Sequence, residues 1–254
     1  MQLTKSSNPV LSEKVFVNSR SGSLEESMTV NGTVNKIGLL LFFLVAAASY
    51  TWGLFNETNI PGQMNSAVMP WLIGGAIGGL VLALITTFKP IWSSYTAPVY
   101  ALCEGLMLGG LSAMMNAYYP GIVFQAVGLS FATLFAMLFA YKTGLIKVTQ
   151  KFKAGVIAAT GGIFVFYMLN WILGMFGIGF DFMNGSGMMS IGISLFVVVI
   201  AALNLVLDFD FIEKGAQSGA AKYMEWYAAF GLMVTLVWLY VELLRLLAKL
   251  ASRD

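Results

Sequence analysis

Six carboxylates lie within or against long apolar runs of this chain: Glu104, Asp208, Asp210, Glu213, Glu225 and Glu242. An acid placed in hydrocarbon is expensive and marks an ion or proton path by default. Glu104 stands in Tyr100-Ala-Leu-Cys-Glu-Gly-Leu-Met-Leu-Gly-Gly, about seven residues and so roughly 10 Å into its run. No base lies within four positions of it, so a partner must come from another segment. It is either an ion-path acid or a protonated carboxyl bonded to a neighbouring helix. Asp208 and Asp210 stand in Leu203-Asn-Leu-Val-Leu-Asp-Phe-Asp-Phe-Ile-Glu-Lys. On a helix they point roughly 200° apart, so one of them is expected to face inward and the other water. Asn204 shares the face of Asp208. Glu225, in Met224-Glu-Trp-Tyr, is expected in a first turn, where a carboxylate complements the helix dipole. Glu242 precedes Arg245 by three positions, a spacing that favours an ion pair.

These acids are rare because the chain is greasy. Of 254 residues 58% are hydrophobic and 10% charged, where a soluble domain carries roughly 25% charge. Composition therefore predicts a polytopic membrane protein. Histidine is absent and Cys103 is the single cysteine, which excludes His-based triads, HExxH zinc sites and disulfides. A net charge of +2 gives no footing for nucleic acid.

Seven apolar runs of about membrane length position the acids, over 37–55, 67–88, 97–118, 121–141, 155–176, 189–207 and 226–247. Lipid demands internal backbone hydrogen bonding, so each is predicted helical, and the fold class is an all-α seven-transmembrane-helix bundle. Residues 1–36 read as a polar, disordered tail, without an apolar run at Met1 to serve as a signal peptide. The transmembrane domain is 37–250. Glycines at 74, 75, 78 and 79 and at 105, 109 and 110 form GxxxG patterns, expected to pack helices closely. Trp71, Trp92, Trp171 and Trp226 near segment ends suit an aromatic belt.

The cations fall on one side. Lys5, Lys14, Arg20 and Lys36, then Lys89, then Lys142, Lys147, Lys151 and Lys153, then Lys214 and Lys222 occupy the tail and the even connections; the odd connections carry none. The positive-inside rule puts the N-terminus in the cytoplasm. Arg245, Lys249 and Arg253 conflict with an outside C-terminus, so the last helix is either a full span, the favoured option, or re-entrant.

With this topology Glu104, Asp208, Asp210 and Glu225 share the cytoplasmic half. Clustered carboxyls suit a hard cation such as Ca²⁺, with Asp208 and Asp210 the metal-facing pair. Mutual repulsion makes such groups proton-sensitive. Lys89 is the nearest plausible counter-charge and a candidate latch. A cation path that closes on protonation, or opens when a charge pair breaks, follows.

The helix-three run above, Leu205-Val-Leu-Asp-Phe-Asp-Phe-Ile, and Leu239-Tyr-Val-Glu-Leu-Leu-Arg-Leu-Leu together resemble the Bax inhibitor 1 (transmembrane Bax inhibitor motif) family, over roughly residues 35–250. The resemblance implies a seven-helix bundle with a central C-terminal helix and a pH-sensitive calcium leak governed by two Asp residues. The first falls on Asp208. The second falls on position 235, which is Thr235 here, so Asp210, Glu225, Glu242 or Glu104 must substitute or the calcium activity is absent. A basic residue at the end of helix two corresponds loosely to Lys89.

The expected function is therefore a pH-sensitive calcium or cation leak in a bacterial-type inner membrane, without a cofactor. Its partners are lipid and calcium or protons. The rival is a non-transporting regulator that binds another membrane protein, such as a membrane protease, through its tail and the 142–154 loop. No enzyme is expected: no lysine lies mid-helix for a retinal Schiff base, and the seventh helix has no Asp for an aspartyl protease.

Overall fold

A computed structural model describes residues 27–58, 67–177, 185 and 187–253. The tail up to residue 26, and Asp181, lie outside the described residues. Among the described residues seven long helices follow one another: α1 (Val30–Thr58), α2 (Met69–Phe88), α3 (Ser93–Tyr118), α4 (Ile122–Lys142), α5 (Gln150–Met175), α6 (Met188–Gln217) and α7 (Met224–Ala251). A 3-10 turn, Pro90–Trp92, leads into α3. All seven are long and apolar enough to cross a membrane, and 20 to 30 residues span roughly 30–45 Å. The chain is an all-α, multi-pass membrane protein.

The helices outrun the apolar segments that announce them. α1 starts at Val30, inside the stretch expected to be tail. α5 starts at Gln150, because the Thr149 hydroxyl caps it by accepting the Phe152 N–H. Lys151 and Lys153 thus belong to a helix, which shortens the expected 142–154 loop. α6 continues ten residues past Leu207 to Gln217. It stops at Gly219, whose φ of +67° only glycine adopts freely, with Ala220 N–H donating to Gly215 O at 3.2 Å. A helical tail of polar residues has no apolar signature, so the sequence pattern ends too early.

The chain divides into two compact units. The first comprises, among described residues, 27–120 and Phe211–Val234: α1, α2, α3, the end of α6 and the start of α7. Its helices approach through glycine. A Cβ on Gly105 would lie 2.3 Å from Leu44 O, and one on Gly109 would lie 2.2 Å from Ala48 O, so α1 and α3 touch backbone to backbone. Gly75 does the same for α2 against the Cys103 carbonyl of α3. These contacts supply the packing that lipid does not drive. Phe55, Val68 and Ala113 form the core at one end. At the other end, Met28 N–H donates to Ala220 O at 2.6 Å and Ser93 Oγ donates to Tyr223 O at 3.1 Å.

The second unit comprises Gly121–Asp210 and 235–253: α4, α5, most of α6 and the remainder of α7. Ile163, Val197 and Ile200 form a core with Trp238 against it. Lys249 Nζ, near the end of α7, donates to Ser194 Oγ at 2.8 Å and to Ser190 O at 3.3 Å, near the start of α6. The last helix therefore runs antiparallel along α6 to its far end. It is one unbroken helix of 28 residues, long and apolar enough to cross a membrane as the favoured option expects, and Lys249 is satisfied inside the protein. α6 and α7 are the most enclosed helices, each with more than half of its most apolar stretch buried, against less than a quarter in α1, α2, α4 and α5.

Candidate functional site: carboxylates on α3, α6 and α7

The second unit holds Asp208, Asp210 and Glu242; the first holds Glu104, Glu225 and Lys89. Every position from Asn204 to Ile212 on α6 is buried. Asp208 is 0% exposed and Asp210 6%. The expectation that one of the two faces water is thereby corrected. Opposite faces of a helix differ in burial only where the helix has a wet side, and this stretch has none.

Asp210 meets a cation that the sequence pattern places in a loop. Lys153, on the first turn of α5, is 4% exposed, and its Nζ lies 2.6 Å from Asp210 Oδ2. A charge-assisted bond this short between two buried groups is strong and directional. One turn before Asp208 on α6, Asn204 donates to Thr160 Oγ1 at 2.8 Å and to Ile200 O. Tyr141 of α4 lies against Phe209, ring centroids 6.1 Å apart. Polar groups of α5 and α6 thus line up beside the acids.

Glu242 and Arg245 pair as their spacing predicts, at 3.3 Å. The Tyr167 hydroxyl donates to Glu242 as well, at 3.3 and 3.4 Å, and Arg245 lies over the Tyr167 ring.

In the first unit Glu225 is more than a dipole complement. It opens α7 as expected but is fully buried. The backbone N–H and hydroxyl of Thr29 both donate to Oε1 at 2.9 Å; Lys222 Nζ donates to it at 2.8 Å; Lys36 Nζ lies 3.1 Å from Oε2. A Cβ on Gly32 would lie 2.0 Å from Oε1, so glycine is what lets α1 close over the carboxylate. Glu225 ties the starts of α1 and α7 together.

Glu104 lies deeper than its apolar run suggests. α3 begins at Ser93, which puts Glu104 about 17 Å along it. It accepts a hydrogen bond from Tyr100 one turn back. Tyr100 packs edge-on against Phe230, centroids 4.9 Å apart. Lys89 caps the end of α2 with its ammonium 4.3 Å from the centre of the Trp92 ring. The cation found against a candidate acid of α6 is Lys153, not the proposed latch Lys89. Among the described residues, no group of three or more His, Cys, Asp or Glu side chains is placed to hold a metal ion.

Seven membrane-length helices with enclosed, mostly paired carboxylates define a polytopic helical membrane protein. A family model for Bax inhibitor 1 like proteins matches residues 8–252, and the chain belongs to that family. It is also 33% identical over 129 residues to a serine/threonine exchanger, SteT, of Bacillus subtilis (strain 168), a match covering 46% of this chain and 29% of that protein. The chain thus spans under a third of that relative's length. No solved structure matches.

Proposed function

We propose that this protein is a pH-sensitive cation leak with calcium as the permeant ion, governed by Asp208 and Asp210 in the C-terminal third of α6. The observation that carries it is the wholly buried stretch 204–212, which encloses both acids and holds Asp210 against Lys153. Carboxylate oxygens suit calcium. With Thr at 235, Asp210 supplies the second acid and Lys153 the charge that neutralises it. A path lined by carboxylates closes on acidification as its negative charge is lost, and the buried ammonium of Lys153 then repels a divalent ion. In this reading the protein sits in a bacterial-type inner membrane, and the one-sided cations support an N-terminus in the cytoplasm. No cofactor and no enzymatic step enter this function. The exchanger likeness favours transport as a class and names no substrate for this chain.

The test is calcium flux in proteoliposomes at two pH values, wild type against Asp208→Asn. Wild-type flux is expected to fall in acid, and the substitution to lower flux and flatten its pH response. Equal, pH-independent flux in both removes Asp208 as the gate. Flux no greater than in protein-free liposomes moves the protein to the class of non-transporting regulators.

A further inference from the structure

The first unit contains an acid that such a gate does not use. Glu104 points from α3 toward α2, where a Cβ on Gly79 would lie 2.8 Å from its Oε1 and 3.3 Å from its Cδ. Gly79 is halfway along the 20 residues of α2, a helix long and apolar enough to cross a membrane, so the carboxyl lies beside the middle of that helix. One oxygen, Oε2, is buried and has no hydrogen-bond partner among the described residues.

The groups around it are few. Its own helix supplies Tyr100 and Cys103. α2 supplies glycine, and over its whole length, Met69–Phe88, it contains no titratable residue. From α7, Phe230 packs on Tyr100. α1 meets the neighbouring turns of α3 through the backbone at Leu44 and Ala48. No ion pair to Glu104 occurs among the described residues, in contrast to Glu225, Asp210 and Glu242.

An ionised carboxylate in that place has one phenol to offset the loss of water. A neutral carboxylic acid needs less, and its Oε1 still accepts from Tyr100 while the O–H sits on Oε2. We propose that Glu104 is a proton-binding site at mid-membrane, formed by the carboxyl, the Tyr100 hydroxyl and the glycine wall of α2. The ligand is the proton itself. The site stands apart from the α6 acids and does not depend on their role as a cation gate.

An apolar carbodiimide tests it, because such reagents partition into lipid and react with the neutral acid. The acid O–H adds across one C=N bond to give an O-acylisourea, which rearranges to a stable N-acylurea with nothing lost. Full-length protein in liposomes is treated with dicyclohexylcarbodiimide and the adduct is mapped by mass spectrometry. The expected adduct is on Glu104, absent in Glu104→Gln and reduced several-fold in Gly79→Ala, whose new methyl displaces the carboxyl. A water-soluble carbodiimide with an added amine is expected to leave Glu104 unmodified. The proposal is overturned by wild-type protein that carries no adduct at Glu104, by equal labelling from the water-soluble reagent, or by undiminished labelling in Gly79→Ala.

Discussion

Glu225 and Glu104 are both acids of the first unit, and they are treated in opposite ways. Glu225 has two ammonium groups, a backbone N–H and a hydroxyl around a fully buried carboxylate. Glu104 has one tyrosine and a bare wall. A carboxylate with that many donors is held as a charge and used as a rivet. One with so few is available for exchange. In the second unit Asp210 stands between them, its charge set against the buried ammonium of Lys153.

The strongest way to break this ranking is at Lys153. Lys153→Met removes the ammonium from a buried acid, and losing one partner of a buried pair costs about 3–5 kcal/mol. The melting temperature in detergent is expected to fall further than it does for any substitution at Glu225, Gly32 or Arg245. Adding Asp210→Leu is expected to recover most of it, since apolar replacement of both members of a buried pair is often neutral or better. A small loss in the single variant would mean that water reaches the pair, and Asp210 would cease to be an enclosed acid.

Next in size are changes at the Glu225 rivet. Glu225→Ala strips the acceptor from Thr29 and from two lysines, for about 1–3 kcal/mol. The cost stays below that at Lys153 because Lys36 and Lys222 are 26% and 52% exposed and can turn to water. Gly32→Ala attacks the same place sterically, since its Cβ would collide with Oε1, and overpacking of this kind also costs about 1–3 kcal/mol. Gly38→Ala, on the same helix with nothing within 4 Å of its Cβ, is the control and is expected to be neutral or slightly stabilising. Equal effects at positions 32 and 38 would show that α1 does not close over Glu225.

What the sequence discloses follows from the range of the forces involved. Seven apolar runs declare seven helices because the bilayer imposes a length. The Glu242–Arg245 pair is legible because it is local, three positions apart on one helix. The full extent of α5 and α6 is written in Thr149 and Gly219, a cap and a stop, but polar residues before and after the apolar runs obscure them. The distant partners of Asp210 and Glu225 are not legible at all. Lys153 is 57 positions from its acid and Thr29 is 196 from Glu225, and no periodicity carries that information. Facing is equally hidden: in a helix that is apolar all round, amphipathicity gives no direction, so the enclosure of both Asp208 and Asp210 becomes visible only in three dimensions.

The smallest expected effect separates the burial of an acid from that of its cation. Glu242 and Asp210 are comparably enclosed, with side chains 2% and 8% exposed. Their cations differ: Arg245 is 44% exposed, Lys153 5%. Arg245→Ala also leaves the Tyr167 hydroxyl donating to Glu242. A half-exposed ion pair contributes up to about 1 kcal/mol, and the stacked ring adds a similar amount at most. Arg245→Ala is therefore expected to lower the melting temperature far less than Lys153→Met, measured in the same detergent and salt. Its effect should shrink further at high salt, which screens exposed charges but not enclosed ones. If the two substitutions cost the same, burial of the acid alone sets the energy, and the number and enclosure of its partners could no longer rank these carboxylates.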